Sequence, residues 1–334
     1  MNKNQFLEFI ASYWWPFARN FVRKSPRCKI CILSNKCVKI TDGICELCQQ
    51  FKNSAQKAPL EIEAPPEMNA QFDQILKSIS HNKKYHVLLM LSGGKDSAYI
   101  LDRLKIEYPN LRILCLFVNN GFSSIFATKN AFYVADKLNT DLIISNDEVP
   151  NFYKTFRDAF LNLNGQGSSG VIDFADGSKI FDIGKQVAKD LNIPYIIGGL
   201  SWVQVTQIIK INTFIEEKPD SPSIIFPLAV WRPNEQDIRN YVRKKELLIK
   251  GSDNPIVSNN DLIVAMCAID VLNSGYCSFE PEFAQMIREG KTDRKIWLHN
   301  FELLEYATTR GYLNKDINNT LAKLNLKLSD VIKK

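Results

Sequence analysis

The chain has 334 residues, 45% of them hydrophobic and 23% charged, an ordinary composition for one large domain with one or two appendages. Lysine and arginine exceed aspartate and glutamate by 42 − 36 = 6, which suits a user of nucleotide or sugar phosphates and falls short of a nucleic-acid binder's basic stripe. No apolar run reaches the roughly 18–20 residues of a membrane span, and Trp14 and Trp15 interrupt any secretory signal after Met1, so a cytoplasmic location is expected.

In chain order, residues 1–25 are rich in aromatics: Phe6, Phe9, Tyr13, Trp14, Trp15, Phe17 and Phe21, with Arg19, Arg23 and Lys24 as the basic residues that follow Pro16. Their spacing fits a short amphipathic helix, either folded back on the protein's own body or docking on a membrane surface or partner. A cysteine-rich module occupies 26–52, and 53–69, with Pro59, Pro65 and Pro66, reads as a linker. From 70 to 228 helices alternate with strands. A helix around Phe72–Ile79 precedes the strand His86–Leu91, and a helix from Ser97 to Tyr108 precedes the strand Ile113–Val118. Further pairs are Ala127–Leu138 with Asp141–Ile144, and Ile180–Leu191 with Tyr195–Ile197. Buried strands separated by helices of this length predict a parallel sheet covered on both faces, with ligands at the strands' carboxyl ends. Residues 229–334 form a C-terminal helical part, with helices over Glu235–Lys245, Asp261–Leu272, Pro281–Glu289 and Ile296–Thr308.

Five of the eight cysteines fall between Cys28 and Cys48, a clustering that points to metal rather than disulfides. Cys28-Lys-Ile-Cys31 and Cys45-Glu-Leu-Cys48 are two C-x-x-C pairs 13 residues apart, able to close a four-cysteine structural zinc site. A redox or iron–sulfur role is the alternative. Cys37 reads as a bystander.

The segment Ser92-Gly93-Gly94-Lys95-Asp96-Ser97 lies between a strand and a helix. Two adjacent glycines let the backbone turn tightly so that several N–H groups face an anion, and the helix start adds partial positive charge. Lys95, Ser92 and Ser97 can reach phosphate oxygens. Asp96 needs an intervening cation and is assigned to Mg2+. The loop is not G-x-x-x-x-G-K-[ST], because no four residues separate its glycines.

Here the chain resembles the PP-loop ATP pyrophosphatases, also called adenine nucleotide alpha hydrolase-like enzymes, whose signature is S-G-G-x-D-S. The resemblance implies an α/β fold with a doubly wound parallel sheet, to which the chain adds the small N-terminal four-cysteine zinc module and the C-terminal helical part. It also implies ATP cleavage between the α and β phosphates, transfer of AMP to a carbonyl oxygen, and displacement of that AMP by nitrogen or sulfur, with Lys95, Asp96 and Ser97 as catalytic residues. Val118-Asn119-Asn120-Gly121-Phe122 matches the adenosine end of the site. Gly198-Gly199 ends the fourth strand, where many relatives carry Gly-His; this chain has Leu200 after the glycines.

The order C-x-x-C, Asp42-Gly-Ile-Cys-x-x-Cys48, then Gly-Gly-Lys-Asp-Ser resembles the N-acetyl sugar amidotransferases of surface polysaccharide assembly, as does Glu282–Lys291. These convert an acetamido group into an amidine with ammonia from a glutaminase partner. Transfer-RNA thiolases of the same superfamily also carry paired cysteines. Thiolating relatives hold a cysteine between the third and fourth strands, but here Gly165–Gly177 has none and reads as a glycine-rich loop whose Asp173 and Asp176 suit a polar small molecule or Mg2+. Cys115 and Cys267 read as core, and Cys277 as the better carrier. Trp202 reads as packing, with base stacking the alternative, and His81, His86 and His299 fall in no site motif.

The expected protein is an adenylylating enzyme that uses ATP, Mg2+ and Zn2+ and exchanges a carbonyl oxygen for nitrogen on a small molecule such as a nucleotide sugar. The alternative is sulfur transfer to a transfer-RNA base, purine or thioamide precursor. Its expected partners are a glutaminase or sulfur-donor protein, with RNA the weaker expectation, and it is expected to be a homo-oligomer.

Overall fold

The computed structural model of the chain describes residues 10–55, 63–79, 83–252 and 260–332; Phe6, Phe9, Pro59 and His81 lie outside them. Two compact units are present, one formed by residues 1–60, 150–176 and 254–334, the other by residues 61–149 and 177–253.

The first unit carries the cysteine module. Strands β1 (Ile40–Thr41) and β2 (Ile44–Cys45) form an antiparallel hairpin. Its turn residues Asp42 and Gly43 both have positive φ, 52° and 82°, the combination that matches the twist of a tight hairpin. The helix Glu46–Ala55 follows at once. Helix Leu262–Ser274 buries Leu262 and every residue from Ala265 to Val271, and packs against the helices Arg294–Thr309 and Asn314–Lys323. Gly275, at φ 80°, ends it in a left-handed cap. On that helix the buried Asp270 accepts from the N–H groups of Ser168 (2.9 Å) and Ser278 (3.0 Å) and from both serine hydroxyls, fastening two segments to it.

The second unit is built on a six-stranded sheet. Strands β3 (Val87–Met90), β4 (Ile113–Val118), β5 (Asp141–Ser145) and β6 (Tyr195–Ile197) are followed by β7 (Ile215–Glu216) and β8 (Ser223–Ile225). The spatial order is β5-β4-β3-β6-β8-β7, all parallel except β7, which pairs antiparallel with β8 at one edge. From β3 the chain steps outward to β4 and β5, then returns to place β6 on the other side of β3. Right-handed crossovers in the two directions put their helices on opposite faces, so the sheet is doubly wound. β3 and β4 are buried at every residue, as a sheet covered on both sides requires.

Two differences from the sequence reading have physical reasons. The helix Val149–Leu161 is absent from the predicted elements; it buries Phe152, Phe156 and Phe160 along one face at helical spacing, a pattern that its Pro150 near the start obscures. The expected loop Gly165–Gly177 is instead helical from Ser169, through a short π-helical turn, Ser169–Asp173, into the helix Phe174–Asp190. Ile172, Asp176, Gly184 and Ala188 are buried at multiples of four residues, and this stripe outweighs the low helix propensity of the glycines.

Asp173 lies in that stretch without being part of the stripe. Burial pushes its carboxyl up to about 7, and the nearby charges of Asp176 and Glu282 push the same way. Because the folded state holds this proton more tightly than the unfolded chain, stability falls as pH rises from about 4 through about 7. Asp173→Asn is therefore expected to raise the urea midpoint at pH 8 and leave it unchanged at pH 4, and equal effects at both pH values would contradict this.

Candidate functional site

Three loops leave the carboxyl edge of the sheet at its central strands. β3 and β6 are neighbours, with Leu89 opposite Ile197, so Ser92–Ser97 and Gly198–Ser201 emerge side by side where the strand order reverses. Between these two in chain order, the second loop, Asn119–Ser124, leaves β4, whose Leu116 lies opposite Met90 of β3. Open α/β sheets bind ligands at such a reversal.

In the first loop Gly93 has φ 71°, and a Cβ added there would lie 2.0 Å from the Ala127 carbonyl oxygen. Only glycine fits so close an approach of the loop to the helix Ile125–Lys137. Ser92 Oγ accepts from the Gly94 N–H (3.3 Å) and lies 3.2 Å from Ser97 Oγ, which also donates to the Gly94 carbonyl at 3.2 Å. Lys95 Nζ sits 2.8 and 2.9 Å from the two carboxylate oxygens of Asp96. The helix Lys95–Glu107 starts at Gly94 with no side-chain cap, whereas Ser124 and Ser201 each cap the helix that follows them. Its first-turn amides and its positive dipole end thus open onto the loop.

Asn130 was missed by the sequence reading. Buried on the helix behind the loop, it donates to the Gly93 carbonyl (3.0 Å) and to Ser252 Oγ (2.9 Å), and its Oδ1 accepts from the Ile249 N–H at 2.9 Å. Ser252 in turn donates to the Ile249 carbonyl at 2.6 Å. Nothing in the spacing distinguishes Asn130 from a surface asparagine; only its burial inside an apolar helix face reveals it.

The second loop is shaped by its own side chains. Asn119 Oδ1 accepts from the Gly121 N–H and Asn120 Oδ1 from the Phe122 N–H, both at 2.9 Å, and Gly121 has φ 82°. Asn119 also donates to Asn146 Oδ1 at 2.9 Å. In the third loop the Gly198 N–H donates to the Ile225 carbonyl, extending β6, and a Cβ there would come within 2.8 Å of the Phe226 ring. Gly199 has more room, with Ile100 Cδ1 3.9 Å from a would-be Cβ. The Trp202 ring is covered by the Arg232 guanidinium, 4.3 Å from its centroid, which favours packing over stacking on a ligand. His86 opens β3 at the opposite end from the glycine loop, and its Nδ1 accepts from the Arg112 N–H at 3.1 Å.

The metal centre lies in the other unit. The sulfurs of Cys28, Cys31, Cys45 and Cys48 all fall within 4.8 Å of one another, and the four residues are buried. Cys31 and Cys45 are 3.7 Å apart, matching the roughly 3.8 Å edge of a tetrahedron with Zn–S bonds of about 2.3 Å. Arg294 clamps the first knuckle, donating from Nε to the Cys31 carbonyl and from Nη2 to the Cys28 carbonyl, both at 2.7 Å. These donor atoms fit a single tetrahedral ion. Beneath the knuckles, Arg27 bridges Glu280 (2.9 Å) and Glu305 (3.1 Å).

Of the remaining thiols, Cys115, Cys267 and Cys277 are buried and Cys37 is half-buried. Cys115 is buried mid-strand, and burial pushes its thiol up to about 12; burial likewise raises Cys277 well above its ordinary value, and Cys37 rises to about 11. Cys267 is buried in the same cluster as Cys277.

No protein-family model matches the chain. An uncharacterized protein of Methanocaldococcus jannaschii is 31% identical over 133 residues, covering 38% of this chain and 45% of that one, so the chain spans less than half of its curated relative. Among solved structures, the U34-tRNA thiolase of Methanococcus maripaludis with its four-iron four-sulfur cluster aligns at 16% identity. That alignment covers 88% of this chain and 89% of the thiolase, with a TM-score of 0.41. The NMN synthetase of Francisella tularensis aligns at 14% identity over 76% of this chain and 97% of that one, with a TM-score of 0.40.

The two glycines of the carboxyl edge make the geometry testable. Gly93→Ala is expected to lower unfolding free energy by about 2–4 kcal/mol, combining left-handed strain with a backbone clash. Gly199→Ala should cost less than about 1 kcal/mol. Urea titration of both variants checks the contrast, which equal losses would remove. The doubly wound sheet, with a Ser-Gly-Gly-Lys-Asp-Ser turn at its point of reversal, is the fold that the resemblance to PP-loop ATP pyrophosphatases implies.

Proposed function

We propose that the protein is a PP-loop ATP-dependent enzyme that adenylylates a carbonyl oxygen of a small molecule, an N-acetyl sugar being the preferred class, and exchanges that oxygen for nitrogen. The observation that carries the reading is the uncapped helix start behind the glycine loop at the sheet's reversal, a polyanion site built from backbone amides. In this reading Ser92, Gly93, Gly94, Lys95 and Ser97 hold the ATP phosphates. Asp96 would hold Mg2+, which would supply charge neutralisation for the leaving pyrophosphate, and Lys95, paired with Asp96 at 2.8 Å, would then be free to reach a phosphate oxygen. Asn119, Asn120 and Gly121 bound the adenosine pocket with their turned backbone, and Gly198 and Gly199 at the neighbouring strand end complete the nucleotide-binding set.

The chemistry balances with these parts. The amide oxygen attacks the α-phosphorus, the α–β bridging bond breaks, and pyrophosphate leaves with that electron pair. Ammonia adds to the activated carbon, and AMP departs with the original oxygen as the amidine forms and a proton is released. The loop amides and Lys95 stabilise charge on the departing phosphates.

The buried thiols bear on the choice of nucleophile. A persulfide carrier needs an exposed thiol with a lowered pKa, and Cys115, Cys267 and Cys277 are all buried. Sulfur transfer therefore requires sulfide delivered free or on another protein, and nitrogen is the simpler reading.

Given ATP, Mg2+, an N-acetylated nucleotide sugar and ammonia, the enzyme is expected to form AMP, pyrophosphate and a product about one mass unit lighter, by mass spectrometry. Asp96→Ala should reduce turnover about a hundredfold or more, and Cys277→Ser should leave it unchanged. A product about sixteen units heavier with sulfide alone would transfer the protein to the thiolating branch.

We assign zinc to the four cysteines, because thiolates sharing one ion lie closer together than thiolates spread over a cluster. Metal analysis of anaerobically purified protein should find about one zinc per chain and little iron. Several irons per chain with broad visible absorption would replace zinc with a cluster.

A further inference from the structure

The N-terminal aromatic segment is not used by any of this chemistry. Residues 10–18 are helical, with a turn continuing to Phe21, and the segment has two unlike faces. Trp15 and Ala18 are buried, Trp15 stacking on Tyr306 of the helix Arg294–Thr309 at 5.3 Å. Tyr13, Trp14, Phe17 and Phe21 lie on the other face at spacings of three and four residues and are 73%, 45%, 69% and 76% exposed. Phe17 and Phe21 touch at 5.2 Å, and the 68% exposed Tyr312 lies 6.0 Å from Tyr306, the ring on which Trp15 packs.

Among the described residues, two carboxylates of the helix beneath the segment are already engaged: Glu302 is held by Arg19 through bonds of 2.6 and 2.7 Å, and Glu305 by Ser25 and Arg27. Asp293 caps its own helix by accepting from the Ile296 N–H. Arg23 is exposed and Lys24 half-buried just after the aromatics, and Arg310 lies 5.9 Å from the Tyr306 ring centroid. Neither Arg23 nor Arg310 carries an ion pair among the described residues.

We infer that this face is a docking surface for an anionic lipid bilayer, holding the protein at a membrane surface without crossing it. Two properties select lipid over a protein or a second copy. Tyrosine and tryptophan rings beside a phenylalanine pair, exposed together on one face of a short helical segment, suit the headgroup–acyl boundary. The unpaired cations beside them, with neighbouring carboxylates already neutralised, suit anionic headgroups. No helix among the described residues is long and apolar enough to span, so the attachment is interfacial and reversible. This inference is independent of the proposed reaction.

Cosedimentation of the full chain with vesicles tests it. Binding to phosphatidylcholine vesicles containing about 30% phosphatidylglycerol, about tenfold tighter than to phosphatidylcholine alone and weakened in about 0.5 M NaCl, is the expected result. The paired substitution Phe17→Ser with Phe21→Ser, and separately Arg23→Glu, should each lower binding about fivefold or more while circular dichroism and elution volume stay unchanged. Equal sedimentation of the parent and the aromatic variant, or none of the parent with anionic vesicles, would overturn the inference. So would a dimer in solution that the aromatic variant dissolves in the absence of vesicle binding, since the face would then belong to a second copy.

Discussion

β3 is hydrogen-bonded to parallel partners on both sides, β4 and β6, and is reached by chain segments running outward in opposite directions. Parallel neighbours demand crossovers, crossovers of one hand demand helices on both faces, and the two sets of helices leave a crevice where they part. The glycine loop is the turn out of this strand. It cannot move without disturbing Ala127, whose carbonyl occupies the space beside Gly93, or Asn130, whose amide holds the Gly93 carbonyl. Its rigidity comes from the second crossover helix packing against its back, leaving the amide-bearing front open.

The cysteine module follows a different logic. A hairpin of two-residue strands and one helix buries too little to fold alone, so four thiolates drawn together by a metal supply its centre. Around that centre Arg294 fixes the knuckle carbonyls, and Phe283, Trp297 and Phe301 form an aromatic layer in the same cluster. The buried Arg27 side chain is tolerable because Glu280 and Glu305 both pair with it, and losing Arg27 would leave two carboxylates facing each other without a cation.

Much of this was legible as pattern. The strands Ile113–Val118 and Tyr195–Ile197 and the paired cysteines announce themselves by composition and spacing. What escaped shares one cause: a polar residue or glycine doing a task defined by its neighbours. Asp176 belongs to a buried helical stripe although it is not apolar, so Gly165–Gly177 reads as a loop until that stripe is seen. Asn130 reads as a surface residue, and Asp270 as a charge on a helix, until the backbone groups they satisfy are in place.

The sequence by itself determined the local features: the alternation of buried strands and helices, the phosphate-loop turn, and a four-thiolate ligand set. Each depends on residues close together in the chain, where periodicity and backbone sterics are decided. Only the tertiary structure decided that β6 returns beside β3, that Cys115, Cys267 and Cys277 are sealed from solvent, and that Trp15 turns inward while Trp14, Phe17 and Phe21 stay outside. Those outcomes depend on which distant surfaces meet, and burial is a property of the meeting rather than of the residue.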